Sequence, residues 1–91
     1  MSNIETHLTI ANKVGLHARP ARLLVQTAAT FQARIQIQCG EKTVSANSIL
    51  GVLTLGAMYG DTIKLHAEGE DAEQAITALS ELVQQKFNEE E

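Results

Sequence analysis

Ninety-one residues suffice for one small domain around one hydrophobic core and leave no room for a catalytic domain beside a substrate domain, so a single domain over 1–91 is expected. A net charge of −4 with three aromatic residues and no tryptophan argues against a nucleic-acid ligand, because both neutralising cations and stacking surface are scarce. No apolar run approaches the roughly 20 residues of a membrane span, and residues 1–5 lack the basic start of a signal peptide, so a soluble, cytoplasmic chain with no membrane insertion is expected.

Ile4, Thr6, Leu8 and Ile10 alternate with Glu5, His7 and Thr9, which predicts a strand over 4–11 with one wet face. After a turn-like stretch at 12–15, Pro20, Leu23, Leu24, Thr27, Ala28 and Phe31 follow at spacings of three and four, predicting a helix over about 18–29. Ala33, Ile35 and Ile37 alternate with Arg34, Gln36 and Gln38, and Gly40 permits a tight turn into a partner strand over 42–45. The lone cysteine, Cys39, lies beside that turn. It can form no internal disulfide, so stability must come from packing, as is normal in a reducing cytoplasm, and Cys39 is assigned no role.

Asn47 and Ser48 suit the start of a short apolar helix over about 49–55, closed near Gly56 or Gly60. Ile63, Leu65 and Ala67 alternate with Lys64, His66 and Glu68 as a fourth strand. Asp71 with Gln74 three residues on reads as a capping box, opening a helix whose stripe is Ala72, Ala75, Ile76, Leu79, Leu82 and Val83. A solvated acidic tail over 88–91 follows. The order βαββαβα, with one apolar face per strand, predicts an α+β open-faced sandwich: a four-stranded, mostly antiparallel sheet with three helices on one face. Sensors, metal carriers, enzymes and RNA binders share such sandwiches, so function must be argued from a site.

Charge is divided unevenly. Residues 1–40 carry +3 and residues 41–91 carry −7, and no carboxylate lies between Thr6 and Gly40. The N-terminal part therefore suits an anion or an acidic partner. His7 and His66 fall on the wet phase of their strands, where an imidazole needs no special explanation. A single cysteine and dispersed histidines offer no close-spaced ligand pair, so neither metal nor cofactor is expected.

His17 differs, because it stands at the cap or first turn of the first helix, just before Pro20, a residue suited to a first turn. Helix starts offer unpaired N–H groups and partial positive charge to an anion, here reinforced by Arg19 and Arg22. Positive surroundings favour a neutral imidazole over a cationic one, and a neutral ring is a nucleophile. Such a site can carry a phosphoryl group on the ring. On these residues alone the alternative is a simple helix cap with solvated arginines.

The segment "GLHARPA" closely resembles the phosphohistidine signature of the HPr family, the phosphocarriers of the bacterial phosphoenolpyruvate-dependent sugar phosphotransferase system. A second block, "ANSILGVLTLGAMYGD", resembles that family's regulatory serine segment, and the resemblance extends over about residues 4–83. It implies a phosphocarrier rather than an enzyme, with His17 accepting phosphate on Nδ1 from phosphorylated enzyme I and passing it to the A domain of an enzyme II sugar permease. It implies that Arg19 assists transfer, that Ala18 and Arg19 offer backbone N–H groups, and that Ser48 is modified by an HPr kinase/phosphorylase. Arg22, Ile49 and Leu53 would meet partners, a transcriptional regulator among them, and the carrier is expected to be monomeric. Ile49 and Leu53 have ordinary core packing as their alternative. Asn47 stands where sugar-branch carriers often have lysine and where nitrogen-branch paralogues can carry asparagine, so the branch stays open, as does a purely regulatory role through Ser48. A metabolite sensor on the same sandwich is the third reading.

Overall fold

The computed structural model describes residues 2–88, and the expected acidic tail lies outside them from residue 89 onward. In chain order the elements are β1 (Ser2–Thr9), α1 (Ala18–Ala28), β2 (Arg34–Cys39), β3 (Lys42–Ser45), α2 (Ile49–Thr54), β4 (Thr62–Gly69) and α3 (Ala72–Gln84). The four strands form one antiparallel sheet in the order β1-β4-β2-β3. The open-faced sandwich expected from the alternating strands is the observed fold.

Strand alternation decides which side the helices cover. Ile35 and Ile37 of β2 and Ile63, Leu65 and Ala67 of β4 turn inward, and their neighbours in sequence face water or the rim. Against that face α3 lies over β1 and β4, while α1 packs on α2 and α3. Leu24 and Ala28 of α1, Val52 of α2, and Ala75, Leu79 and Val83 of α3 complete the core. Each large aliphatic side chain removed from water there contributes roughly 1.5–3 kcal/mol before entropy is subtracted.

Three local expectations need correction. The first strand ends at Thr9 and not at residue 11, because Ile10 bonds to two successive residues of the loop that leads into β4: its N–H donates to Asp61 O at 2.9 Å and its carbonyl accepts from Gly60 N–H at 2.9 Å. Two residues opposite one is bulge geometry, and it stops the ladder.

Asp71 does start α3, but its side chain forms no capping bond. Its two carboxylate oxygens instead accept from the N–H groups of Gln32 and Ala33, both at 2.8 Å, pinning the α1–β2 connection to the head of α3. Hydrogen bonds to a charged acceptor typically contribute 1.5–3 kcal/mol, less where water competes, so Asp71→Ala should cost about 2 kcal/mol in urea unfolding. Asp71→Asn retains one acceptor and should cost about half as much. Equal midpoints for wild type and Asp71→Ala would show that this bridge carries no stability.

The third correction concerns the C-terminus. After α3 a single turn, Lys86–Asn88, takes left-handed backbone angles (φ 56°, 55° and 60°) and buries Phe87 completely, so the chain closes against the core before any tail begins. No helix among the described residues is long and apolar enough to cross a membrane.

Candidate functional site

The loop before α1 is built around two contacts, one within the loop and one to a distant segment of the chain. Asn12 is fully buried, and its side-chain amide donates to the carbonyl of Gly15 at 2.8 Å while Gly15 N–H returns a bond to Asn12 O at 3.2 Å. One residue on, Leu16 is buried and donates its N–H to Ala57 O at 2.9 Å. Gly15 has φ +69°, and a Cβ there would lie 2.4 Å from Ala57 O and 2.8 Å from the Cα of Met58. Only glycine permits the backbones to approach so closely. The chain therefore leaves Leu16 in a fixed direction.

His17 follows as the N-cap residue of α1, in extended conformation (φ −93°, ψ −163°). Its carbonyl accepts the first helical bond, from Ala21 N–H at 2.9 Å; its side chain makes no capping bond, and the residue is exposed. Ala18 and Arg19 hold the first two helical positions, whose N–H groups have no intrahelical acceptor, and Pro20 at the third carries none. Pro20 is buried and anchors the turn beneath the exposed pair. Arg19 and Arg22 lie three apart on one helix face, both exposed, and among the described residues neither guanidinium is paired with a carboxylate. Two positive charges, two backbone donors and a ring nitrogen thus share one helix end. An anion on that ring would meet hydrogen-bond donors and favourable charge at once.

Ser48 is the N-cap of α2, with φ −117° and ψ 113°. Its hydroxyl oxygen accepts from Gly51 N–H at 2.9 Å, and its carbonyl accepts from Val52 N–H at 3.0 Å. A Cβ on Gly51 would fall 3.2 Å from Ser48 Oγ, so glycine three residues into the segment leaves room for the cap. Ala57, which holds Leu16, lies two residues beyond Leu55, the C-cap of α2. Six residues of helix rise about 9 Å, so Ser48 and the Ala57 carbonyl that holds Leu16 stand at opposite ends of one short helical segment.

Of the apolar residues expected to meet partners, Ile49 is exposed but Leu53 is half-buried against the core. Leu50, absent from that expectation, is 72% exposed. The reason is angular. Val52 and Leu55 face inward, and at 100° per residue position 50 points nearly the opposite way. Val14, Met58 and Tyr59, on the two loops that meet at Gly15, are exposed as well.

Elsewhere the histidines are placed differently. His7 is exposed on β1, and half-buried His66 on β4 hydrogen-bonds through Nε2 to the side chain of Asn3. Neither strand supplies free N–H groups of a helix start. Among the described residues no group of three or more histidine, cysteine or carboxylate side chains could hold a metal ion. Burial, and secondly the Asp61 carboxylate, push the Cys39 thiol above its usual range, so thiolate is scarce at neutral pH.

Comparison with known proteins agrees with this arrangement. Residues 4–85 match the family model of the PTS HPr component phosphorylation site. The chain is 47% identical over 89 residues to the phosphocarrier protein NPr of Shewanella violacea, covering 98% of each. It is 44% identical over 86 residues to the phosphocarrier protein HPr of Xylella fastidiosa, covering 94% of this chain and 97% of that one. A crystal structure of HPr from Thermoanaerobacter tengcongensis superposes with a TM-score of 0.92 at 49% identity, covering 97% of this chain and 99% of that one. Sequence, fold and loop architecture converge: the chain belongs to the HPr family of phosphotransferase-system phosphocarriers, and its role is that of a phosphotransfer carrier.

Proposed function

We propose that His17 is the phosphoryl acceptor, loaded by a phosphorylated enzyme I and unloaded by the A domain of an enzyme II permease, in the cytoplasm and without metal or cofactor. The observation that carries this reading is the exposed imidazole at the N-cap position of α1, with the exposed Arg19 and Arg22 beside it on the first turns of the same helix. A ring-nitrogen lone pair attacks phosphorus, a P–N bond forms as the donor's P–N bond breaks, and the transferring oxygens meet the N–H groups of Ala18 and Arg19. Bond types are the same on both sides, so the relay needs positioning and charge rather than deep catalysis.

Arg19 pairs with the phosphoryl oxygens chiefly during transfer. Arg19→Lys keeps the charge and loses the planar fork, so the loading rate should fall, and Arg19→Glu should lower it further. Equal loading rates of wild type and Arg19→Glu across low and moderate salt would exclude an electrostatic role. Arg22, Ile49, Leu50 and Leu53 are assigned to the rim that meets partners. Sugar and nitrogen branches differ in donor, so loading by purified enzyme I of each branch, measured side by side, tests the assignment to a sugar permease. Faster loading by the nitrogen-branch donor would overturn it.

Ser48 is the proposed regulatory site, modified by an HPr kinase/phosphorylase and read by a transcriptional regulator. Phosphate there adds roughly −1.5 to −2 charges at a helix start. For about 10 Å between the two phosphates and an effective dielectric of ~40, two dianions repel by roughly 3 kcal/mol, and a Debye length of ~8 Å reduces this to about 1. Enzyme I-dependent loading of His17 should therefore slow roughly five- to tenfold. The same phosphate meets first-turn N–H groups of α2 and should raise the melting temperature by about 2–6 °C. Unchanged loading after stoichiometric modification would separate Ser48 from the docking surface of His17, and a lowered melting temperature would contradict the favourable helix-start interaction.

A further inference from the structure

The carbonyl that holds Leu16 belongs to the peptide between Ala57 and Met58, and the far side of that same peptide is held as well. Its oxygen accepts from Leu16 N–H at 2.9 Å, and its N–H, which is that of Met58, donates to Asp61 Oδ2 at 2.9 Å. A trans peptide is planar, with N–H and C=O pointing opposite ways, so a bond at each side fixes the plane against rotation. A Cβ at Gly15 would meet three atoms of this peptide, Ala57 O, Ala57 C and Met58 Cα, so the loop that carries His17 packs directly on it. Asp61 is the side chain that grips the peptide from behind.

Asp61 is itself anchored to the sheet. Its N–H donates to Met58 O at 2.9 Å, closing a turn over 58–61, and its carbonyl accepts from Ile10 N–H at 2.9 Å just beyond the end of β1. β4 begins at the next residue, Thr62. Asn12 and Gly15 close the corresponding turn in the loop before α1, again with one side-chain and one backbone bond across three residues. The bond from Leu16 to Ala57 joins the two turns. A peptide N–H that donates to a carboxylate also polarises its own carbonyl, which strengthens the bond that the carbonyl accepts. Asp61 thus supports the Leu16 bond by geometry and by polarisation, although its side chain is exposed and adds little to the core.

We propose that Asp61 is a positioning residue for phosphoryl transfer: its carboxylate orients the peptide between Ala57 and Met58, that peptide fixes Leu16, and Leu16 sets the direction in which the chain enters α1 at His17. Asp61 acts through this peptide and not on the phosphoryl group. The inference rests on the reading of His17 as the acceptor. Relay between two nitrogen atoms depends on how well the ring is aimed, and a displacement on the order of 1 Å can cost up to about a hundredfold in rate. Loss of one of the two holds on the peptide widens the range of directions that Leu16 samples, which costs a smaller factor.

The test compares wild type, Asp61→Ala, Asp61→Asn and Asp71→Ala, using hydrogen exchange of the Leu16 amide and enzyme I-dependent loading at a temperature where all four are folded. In Asp61→Ala the Leu16 amide should exchange about tenfold faster. Its kcat for loading should fall about fivefold, with KM changed less than about twofold, because the ring is misaimed while the docking surface is kept. Asp61→Asn restores an acceptor without the charge and should recover most of both losses. Asp71→Ala removes two bonds to backbone at the head of α3, so it should lower the melting temperature at least as much as Asp61→Ala while leaving Leu16 exchange and kcat at wild-type values. Unchanged Leu16 exchange in Asp61→Ala, equal losses in Asp61→Asn and Asp61→Ala, or the same changes in Asp71→Ala would each overturn the proposal. Wild-type loading in Asp61→Ala would overturn it and leave the reading of His17 intact, whereas a wild-type chain that takes no phosphate on His17 would remove that reading and the proposal with it.

Discussion

Gly15→Ala is expected to lower stability by about 3 kcal/mol and to slow phosphoryl loading even at temperatures where the variant remains folded. An alanine at φ +69° costs roughly 1–2 kcal/mol from its own backbone alone. The new Cβ would also stand 2.4 Å from the carbonyl oxygen of Ala57, so one loop must retreat. Retreat stretches the Leu16 to Ala57 hydrogen bond and disturbs the bond from Asn12 to Gly15, each contributing about 0.5–1.5 kcal/mol. In a chain of this size, 3 kcal/mol corresponds to a melting temperature about 12–24 °C lower. Gly40→Ala is the control, because Gly40 has a similar φ of +61° with nothing within 4 Å of its would-be Cβ. Gly40→Ala should lose only the backbone cost and load at the wild-type rate. Matching losses for the two variants, in stability and in loading, would mean that the contact between residue 15 and Ala57 does not position His17.

That contact also marks where the sequence stops being readable. Periodicity suffices for α1, β2 and β4, because each has a side facing the core and a side facing water, whereas β3, with only Val44 half-buried, is legible from the turn at Gly40. It misplaces the end of β1, since Ile10 looks like one more inward residue and only its bonds to Gly60 and Asp61 show that the ladder has ended. Asp71 is the clearer case. An aspartate before an apolar stripe is chemically the same whether it caps its own helix or bridges to backbone 38 and 39 residues away, and only the fold distinguishes the two.

The site is similarly divided. His17, the two arginines and the capping Ser48 sit close in sequence to the helix starts that give them meaning, and their placement was legible. Asn12 was visible only as part of a turn. Its spacing of three from Gly15 is the one local sign that its amide holds the loop carbonyl, and its complete burial depends on residues near 57. Leu50 could have been singled out from helix geometry, given that Val52 and Leu55 take the inward positions.

The largest effect expected of any substitution here is that of His17→Ala, which removes the proposed nucleophile. His7 and His66 serve as internal controls: they offer the same ring on strands, one exposed and one bonded to Asn3, with no helix-start donors or arginine pair beside them. If reactivity followed from imidazole alone, all three would accept phosphate. If it follows from the environment at the start of α1, only His17 will. Phosphate on an imidazole nitrogen is a phosphoramidate: acid protonates the ring, makes it a good leaving group and releases the phosphate, while alkali does not. A phosphoserine at Ser48 would survive acid, so lability separates the two sites in one sample.

The direct measurement is incubation of the purified chain and of its His17→Ala, His7→Ala and His66→Ala variants with phosphoenolpyruvate and a compatible enzyme I, followed by counting bound phosphate before and after acid and alkali. One acid-labile, alkali-stable phosphoryl group on the wild type, on His7→Ala and on His66→Ala, with none on His17→Ala, is the predicted result. Undiminished labelling of His17→Ala, or loss of the label in His7→Ala or His66→Ala while His17→Ala retains it, would contradict the assignment.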